Sequence, residues 1–251
     1  MKRRISIPVA VVLGVSLVML YIMSCGQQQK SSNPTSPNLI TFSKIDKAAE
    51  ISTGDGVTIA VIDWLFDLSD DARQKYIVPA SMVPGENIGE LESWHGEWMA
   101  EIVHAIAKDA KIIPIRARAQ GNDDFAEYLI KGIYYAADHG ATAVSSSMGE
   151  MVQSPALDSA IAYAEAHGMI FVDVHPELIM VDGQNPRSCQ SGECNDLIIH
   201  AGIVSVPNYV VEPESNRDIY TWAYNLEPKY KDGWGYSNAP PVITGVIALM
   251  K

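Results

Sequence analysis

Positive charge is scarce in this sequence. Its 251 residues hold 18 Lys and Arg against 30 Asp and Glu, a formal net charge of −12. Such a chain lacks the basic surface that a nucleic-acid backbone demands, which argues against a nucleic-acid partner. Cysteine is nearly absent as well, with three in the chain. Two of them lie in CQSGEC, Cys189 and Cys194, with no second ligand pair nearby, so the pattern argues against a zinc site. No internal period runs through the chain, and nothing points to a repeat, collagen-like or disordered protein. What is abundant is apolar: 47% of the residues, enough for one sizeable core.

The longest apolar run opens the chain. Lys2, Arg3 and Arg4 precede ISIPVAVVLGVSLVMLYIM, residues 5–23, and Ser24-Cys25-Gly26 follows. A basic start, an apolar stretch and a small residue at the break describe a secretory signal. YIMSCG is similar to a bacterial lipobox, with Ile22 where Leu is usual, and the similarity makes Cys25 the expected site of lipidation. The alternative is an uncleaved membrane anchor, since the run is almost long enough to span a bilayer. Both readings put the rest of the chain outside the cytoplasm, on the periplasmic or cell-surface side of a membrane. In that oxidising setting Cys189 and Cys194 are expected to form a small-loop disulfide, with two free thiols as the alternative. Residues 26–39, GQQQKSSNPTSPNL, are polar and Pro/Ser-rich and read as a tether. The tether is taken to residue 44 and the folded domain to residues 45–251.

Within that domain two periodicities alternate. GVTIAVID (56–63), KIIPIRA (111–117), ATAVSSS (141–147), MIFVDV (169–174) and DLIIHAGI (196–203) read as strands. HGEWMAEIVHAIAKDA (95–110), FAEYLIKGIYYAADHG (125–140) and SPALDSAIAYAEAHG (154–168) read as helices, with Ser154 as N-cap and Gly140 as a stop. Strands that are apolar almost throughout, separated by helices, predict an α/β domain: three αβα layers around a mainly parallel sheet.

In such sheets the working site lies beyond the carboxyl ends of the strands. Asp63 ends the first strand, His95 opens a helix, and Ser237 precedes the apolar run APPVITGVIALM. Taken singly, each reads as a cap or turn residue. Together, in the order Asp, His, Ser, they are the three parts of an acyl-transfer triad.

Their surroundings resemble those of the subtilisin-like serine peptidases. VIDWLFD resembles VIDTGVD, with Asp63 at the Asp. HGEWMAEIV resembles HGTHVAGII, with His95 at the His. GYSNAPPVITGVIAL resembles GTSMATPHVAGVAAL, with Ser237 at the nucleophile, Pro241 at the Pro and Gly245 at the Gly. ATAVSSSMG resembles ADVINMSLG, which implies that Ser147, Met148 and Gly149 bind an extended peptide by strand addition. The resemblance covers residues 45–251 and implies a subtilisin-like fold and a peptide or protein substrate. It implies an exported, membrane-tethered serine endopeptidase, with Ser237 as nucleophile, His95 as base and Asp63 orienting the imidazole. No cofactor is expected. Calcium sites are common in the family, but no ligand cluster stands out here.

The sequence also departs from the family pattern. Where the family ends a strand with Ala-Ala-Gly-Asn, the Asn serving the oxyanion, this chain has DVHPE. Ungapped alignment puts Glu177 at the Asn. A protonated Glu177 or an inward His175 would be the donor, or Asn185 if a loop inserts. Glu97, Trp98, Glu101, Tyr236 and Val242 replace other family residues, and bulk there would narrow the cleft or plug it. A second reading therefore stands beside the peptidase: a pseudopeptidase that keeps the fold and binds peptides or a partner protein.

Overall fold

Strands that are apolar on both faces need cover on both faces, and the chain supplies it. The computed structural model describes residues 43–69, 74–89, 92, 94–120, 125–147, 154–174, 197–203, 219–221 and 236–251. All the elements below lie in one compact unit, Pro37–Lys251. The strands are β1 (Thr58–Asp63), β2 (Ala80–Ser81), β3 (Lys111–Arg116), β4 (Ala143–Ser146), β5 (Ile170–Val174), β6 (Ile198–Ile203) and β7 (Ile219–Thr221). They form one seven-stranded sheet in the order β2-β3-β1-β4-β5-β6-β7, with every pairing parallel. The helices are α1 (Ile45–Ala49), α2 (His95–Ile106), α3 (Phe125–Asp138), α4 (Pro155–Ala166) and α5 (Ala239–Met250).

β1 shows how the layers arise. Ile59 and Val61 pack with Met99, Ile102 and Ile106 of α2 and Val242 and Leu249 of α5. Ala60 and Ile62 face the other way, onto Leu129 and Ile133 of α3 and Leu157 and Ile161 of α4. The expected three-layer α/β fold with a parallel sheet is therefore the fold observed. The helix ends follow local chemistry. Ser154 caps α4 by accepting the Leu157 N–H at 3.2 Å. α3 and α4 both end in a left-handed glycine, Gly140 and Gly168. At the first, Gly140 N–H reaches the Ala137 carbonyl and Ala141 N–H the Ala136 carbonyl, which satisfies two carbonyls of the last turn before the chain enters β4.

α2 and α5 lie side by side on one face of the sheet. A methyl at Gly245 of α5 would sit 2.9 Å from Ile106 Cβ of α2. Only a residue without a side chain lets the two helices approach this closely. Gly245→Ala is therefore expected to destabilise the fold by about 1–3 kcal/mol through overpacking, despite alanine's better helix propensity. Urea unfolding measures it, and an unchanged midpoint would show that Ile106 yields freely.

Candidate active site

Asp63 is the last residue of β1, at the carboxyl edge of the sheet, and is fully buried. Its Oδ1 accepts the Trp64 N–H at 2.7 Å. The chain then runs through Leu65 and Phe66 beneath the start of α2, where His95 and Gly96 lie. A methyl at Gly96 would meet the Leu65 carbonyl oxygen at 2.8 Å and the Phe66 ring at 2.8 Å. The Gly after His95 is thus what allows the helix to begin directly on the segment that follows Asp63.

That approach brings the first two residues together. His95 Nδ1 lies 2.8 Å from Asp63 Oδ1 and 2.9 Å from Oδ2. A ring nitrogen facing a carboxylate must carry the proton, which leaves Nε2 as the basic nitrogen. Burial lowers the imidazole pKa, but the charge of Asp63 and its hydrogen bond outweigh this and raise it above 6.5; Arg118 opposes them.

Ser237 comes from the far end of the chain. It lies in a 3-10 turn, Tyr236–Asn238, that leads into α5 and packs against α2 with Cα atoms within 8 Å. Its place as an N-cap is taken by Asn238, since α5 begins at Ala239. The turn is clasped to the end of β4. Ser147 Oγ donates to the Ser237 carbonyl at 2.7 Å, and Ser237 Oγ donates to the Ser147 carbonyl at 3.4 Å. Among the hydrogen bonds of the described residues, none joins Ser237 to His95. Carboxylate and imidazole are linked, and the hydroxyl rests on a neighbouring carbonyl.

The start of α5 offers fewer donors than an ordinary helix. Pro240 and Pro241 have no N–H, so two of the groups normally free at a helix N-terminus are missing. Of the residues whose bulk was expected to narrow the cleft, Trp98, Val242 and Glu97 are directed elsewhere. Trp98 packs on the α2–α5 core and Val242 is buried in it. Glu97 turns to Tyr76 and the Asp67 N–H. The aromatics beside His95 are others. Trp94, 58% exposed, meets the His95 ring at 5.9 Å and the Trp64 ring edge-to-face at 5.7 Å. Arg118 lies over the Trp64 ring, 5.2 Å from its centroid. In the sequence this wall shows only as a Trp directly after Asp63 and another directly before His95, with nothing to say that they meet.

Several residues singled out above lie outside the described residues: Cys25, Met148, Gly149, His175, Glu177, Asn185, Cys189 and Cys194. Among the described residues no group of three or more His, Cys, Asp or Glu could hold a metal ion. Also among them, no helix is long and apolar enough to cross a membrane.

Residues 54–173 match the profile of Peptidase S8, the subtilase family. The match includes Asp63 and His95 and stops before Ser237. Thermitase from Thermoactinomyces vulgaris is 27% identical over 137 residues, 50% of this chain and 49% of that protein. The chain thus spans about half the length of this curated relative. Among solved structures, MycP1 with its N-terminal propeptide removed is similar at a TM-score of 0.63 and 20% identity, over 85% of this chain and 83% of that one. The MycP3 protease of the type VII (ESX-3) secretion system gives 0.64 and 17%, over 88% and 78%. A lanthipeptide protease gives 0.62 and 17%, over 81% and 75%. The solved structures show a subtilisin-like fold, and the likeness to the subtilase family profile is confined to residues 54–173.

Proposed function

We propose that this chain is a serine endopeptidase that hydrolyses peptide bonds through Asp63, His95 and Ser237. The observation that carries the reading is the two-oxygen contact of Asp63 with His95 Nδ1, on a helix against which the Ser237 turn packs. Rotation of the Ser237 side chain from the Ser147 carbonyl to His95 Nε2 would complete the relay. The imidazole then takes the Oγ proton as Oγ attacks the scissile carbonyl, and returns it to the leaving amine as the bond breaks. Asp63 holds the tautomer and stabilises the imidazolium. The substrate would lie as an extended strand along Ser147, Met148 and Gly149. The oxyanion would be met by N–H groups around Ser237 and by a donor from the 175–177 segment, His175 or a protonated Glu177. We also propose that the enzyme is exported and held at a membrane through Cys25; the basic, apolar and small-residue order of residues 2–26 supports this.

The test is hydrolysis of a mixed peptide library across pH. The base must be neutral to accept a proton, and its pKa is raised. Activity is therefore expected to fall on acidification, with a midpoint above that of a free imidazole. A folded protein that binds peptides and cleaves none would overturn the peptidase reading in favour of the pseudopeptidase. That second reading draws support from the Ser237 hydroxyl resting on Ser147 rather than on His95.

A further inference from the structure

We propose that Glu97 is a positioning residue that sets the Asp63–His95 geometry by stitching the first turn of α2 to the segment after β1. Three bonds made by this one residue carry the inference. Glu97 Oε2 accepts the Tyr76 hydroxyl at 2.6 Å and the Asp67 backbone N–H at 3.0 Å. The Glu97 N–H donates to the Leu65 carbonyl at 2.8 Å. Residues 65–67, which leave Asp63, are thus tied at two points to the residue two places after His95.

Both ends of the tie are firm. Tyr76 is almost fully buried in the α2 core and forms a bridge with Ile112 of β3. The Asp67 side chain braces its own loop, accepting from Ser69 N–H at 2.7 Å and Ser69 Oγ at 3.0 Å. A shorter side chain, such as the Thr of HGTHVAGII, would not reach these partners. Burial raises the Glu97 carboxyl above its ordinary value, while the Tyr76 and Asp67 bonds and the charge of Lys75 pull it down and Glu101 pushes it up. One oxygen accepts both side-chain bonds, so a neutral carbonyl in the same place serves equally well. Geometry rather than charge is what Glu97 supplies.

The kinetic arm rests on the peptidase reading; the spectroscopic arm does not. Glu97→Ala is expected to lower kcat roughly ten- to a hundredfold with KM within about twofold, because misplacing a base by an ångström has effects of that size. Glu97→Gln, which keeps the accepting oxygen, is expected to restore kcat. The proton between His95 Nδ1 and Asp63 is expected to give a far-downfield proton resonance. It should stay sharp in the wild type and Glu97→Gln and broaden or vanish in Glu97→Ala, well below the melting temperature. If Glu97→Ala fails to fold, Tyr76→Phe removes a single bond and should weaken the resonance partially. A folded Glu97→Ala with an unmoved resonance would overturn the inference, as would a Glu97→Gln as impaired as Glu97→Ala. If the wild type hydrolyses nothing, the peptidase reading fails and the resonance alone decides the role of Glu97.

Discussion

Ser237→Ala is expected to cut peptide hydrolysis by roughly 10⁴-fold or more while leaving the fold intact. The side chain does little structural work. Among the described residues its hydroxyl makes one long bond, 3.4 Å to the Ser147 carbonyl. The shorter half of the clasp, from Ser147 Oγ to the Ser237 carbonyl at 2.7 Å, uses the backbone and survives the substitution. The turn should stay in place, and stability should change by less than about 1 kcal/mol. Activity and stability therefore separate in this variant, as they must if the hydroxyl is the nucleophile. Paired measurements of kcat/KM and thermal unfolding check it. A Ser237→Ala protein that still hydrolyses peptides at the wild-type rate would mean that the chemistry lies elsewhere.

Asp63→Asn is expected to cost about 10⁴-fold in kcat with a smaller change in KM. The carboxylate meets His95 Nδ1 through both oxygens and is fully buried, so no water can substitute for it. An amide in its place can still accept the Trp64 N–H through its oxygen. It must then present its NH₂ to the ring, which favours the tautomer with the proton on Nε2. That nitrogen can no longer take the Ser237 proton. Removing the negative charge also withdraws what raises the imidazole pKa, so the acid limb of any residual activity should move to lower pH. Initial rates across pH test both parts. An Asp63→Asn enzyme with the wild-type limb would show that Asp63 does not govern the base.

Much of the fold is legible in the sequence. The strand over 56–63 is observed as 58–63 and the helix over 95–110 as 95–106, because sustained periodicity and a buried apolar face leave little freedom. β2 and β7 were not foreseen: two and three residues are too few to show a period. α1, five residues long, is equally short of a pattern. The candidate site was legible as three letters in order, since each sits at the end of a well-marked element. Its supports were not. The Ser147–Ser237 clasp runs through backbone carbonyls, which carry no sequence signal. The close approaches at Gly96 and Gly245 depend on neighbours far away in the chain. Trp64 and Trp94 were visible but silent, because nothing local says that the two rings meet. That Pro240 and Pro241 strip donors from the end nearest Ser237 depends on where α5 begins, at Ala239.

The most direct measurement is covalent labelling of the intact protein with a fluorophosphonate, followed by peptide mapping. One phosphonyl adduct is expected, on Ser237, formed faster as pH rises through the His95 ionisation and absent from Ser237→Ala. A folded protein that takes up no label, or carries it on another residue, would contradict it.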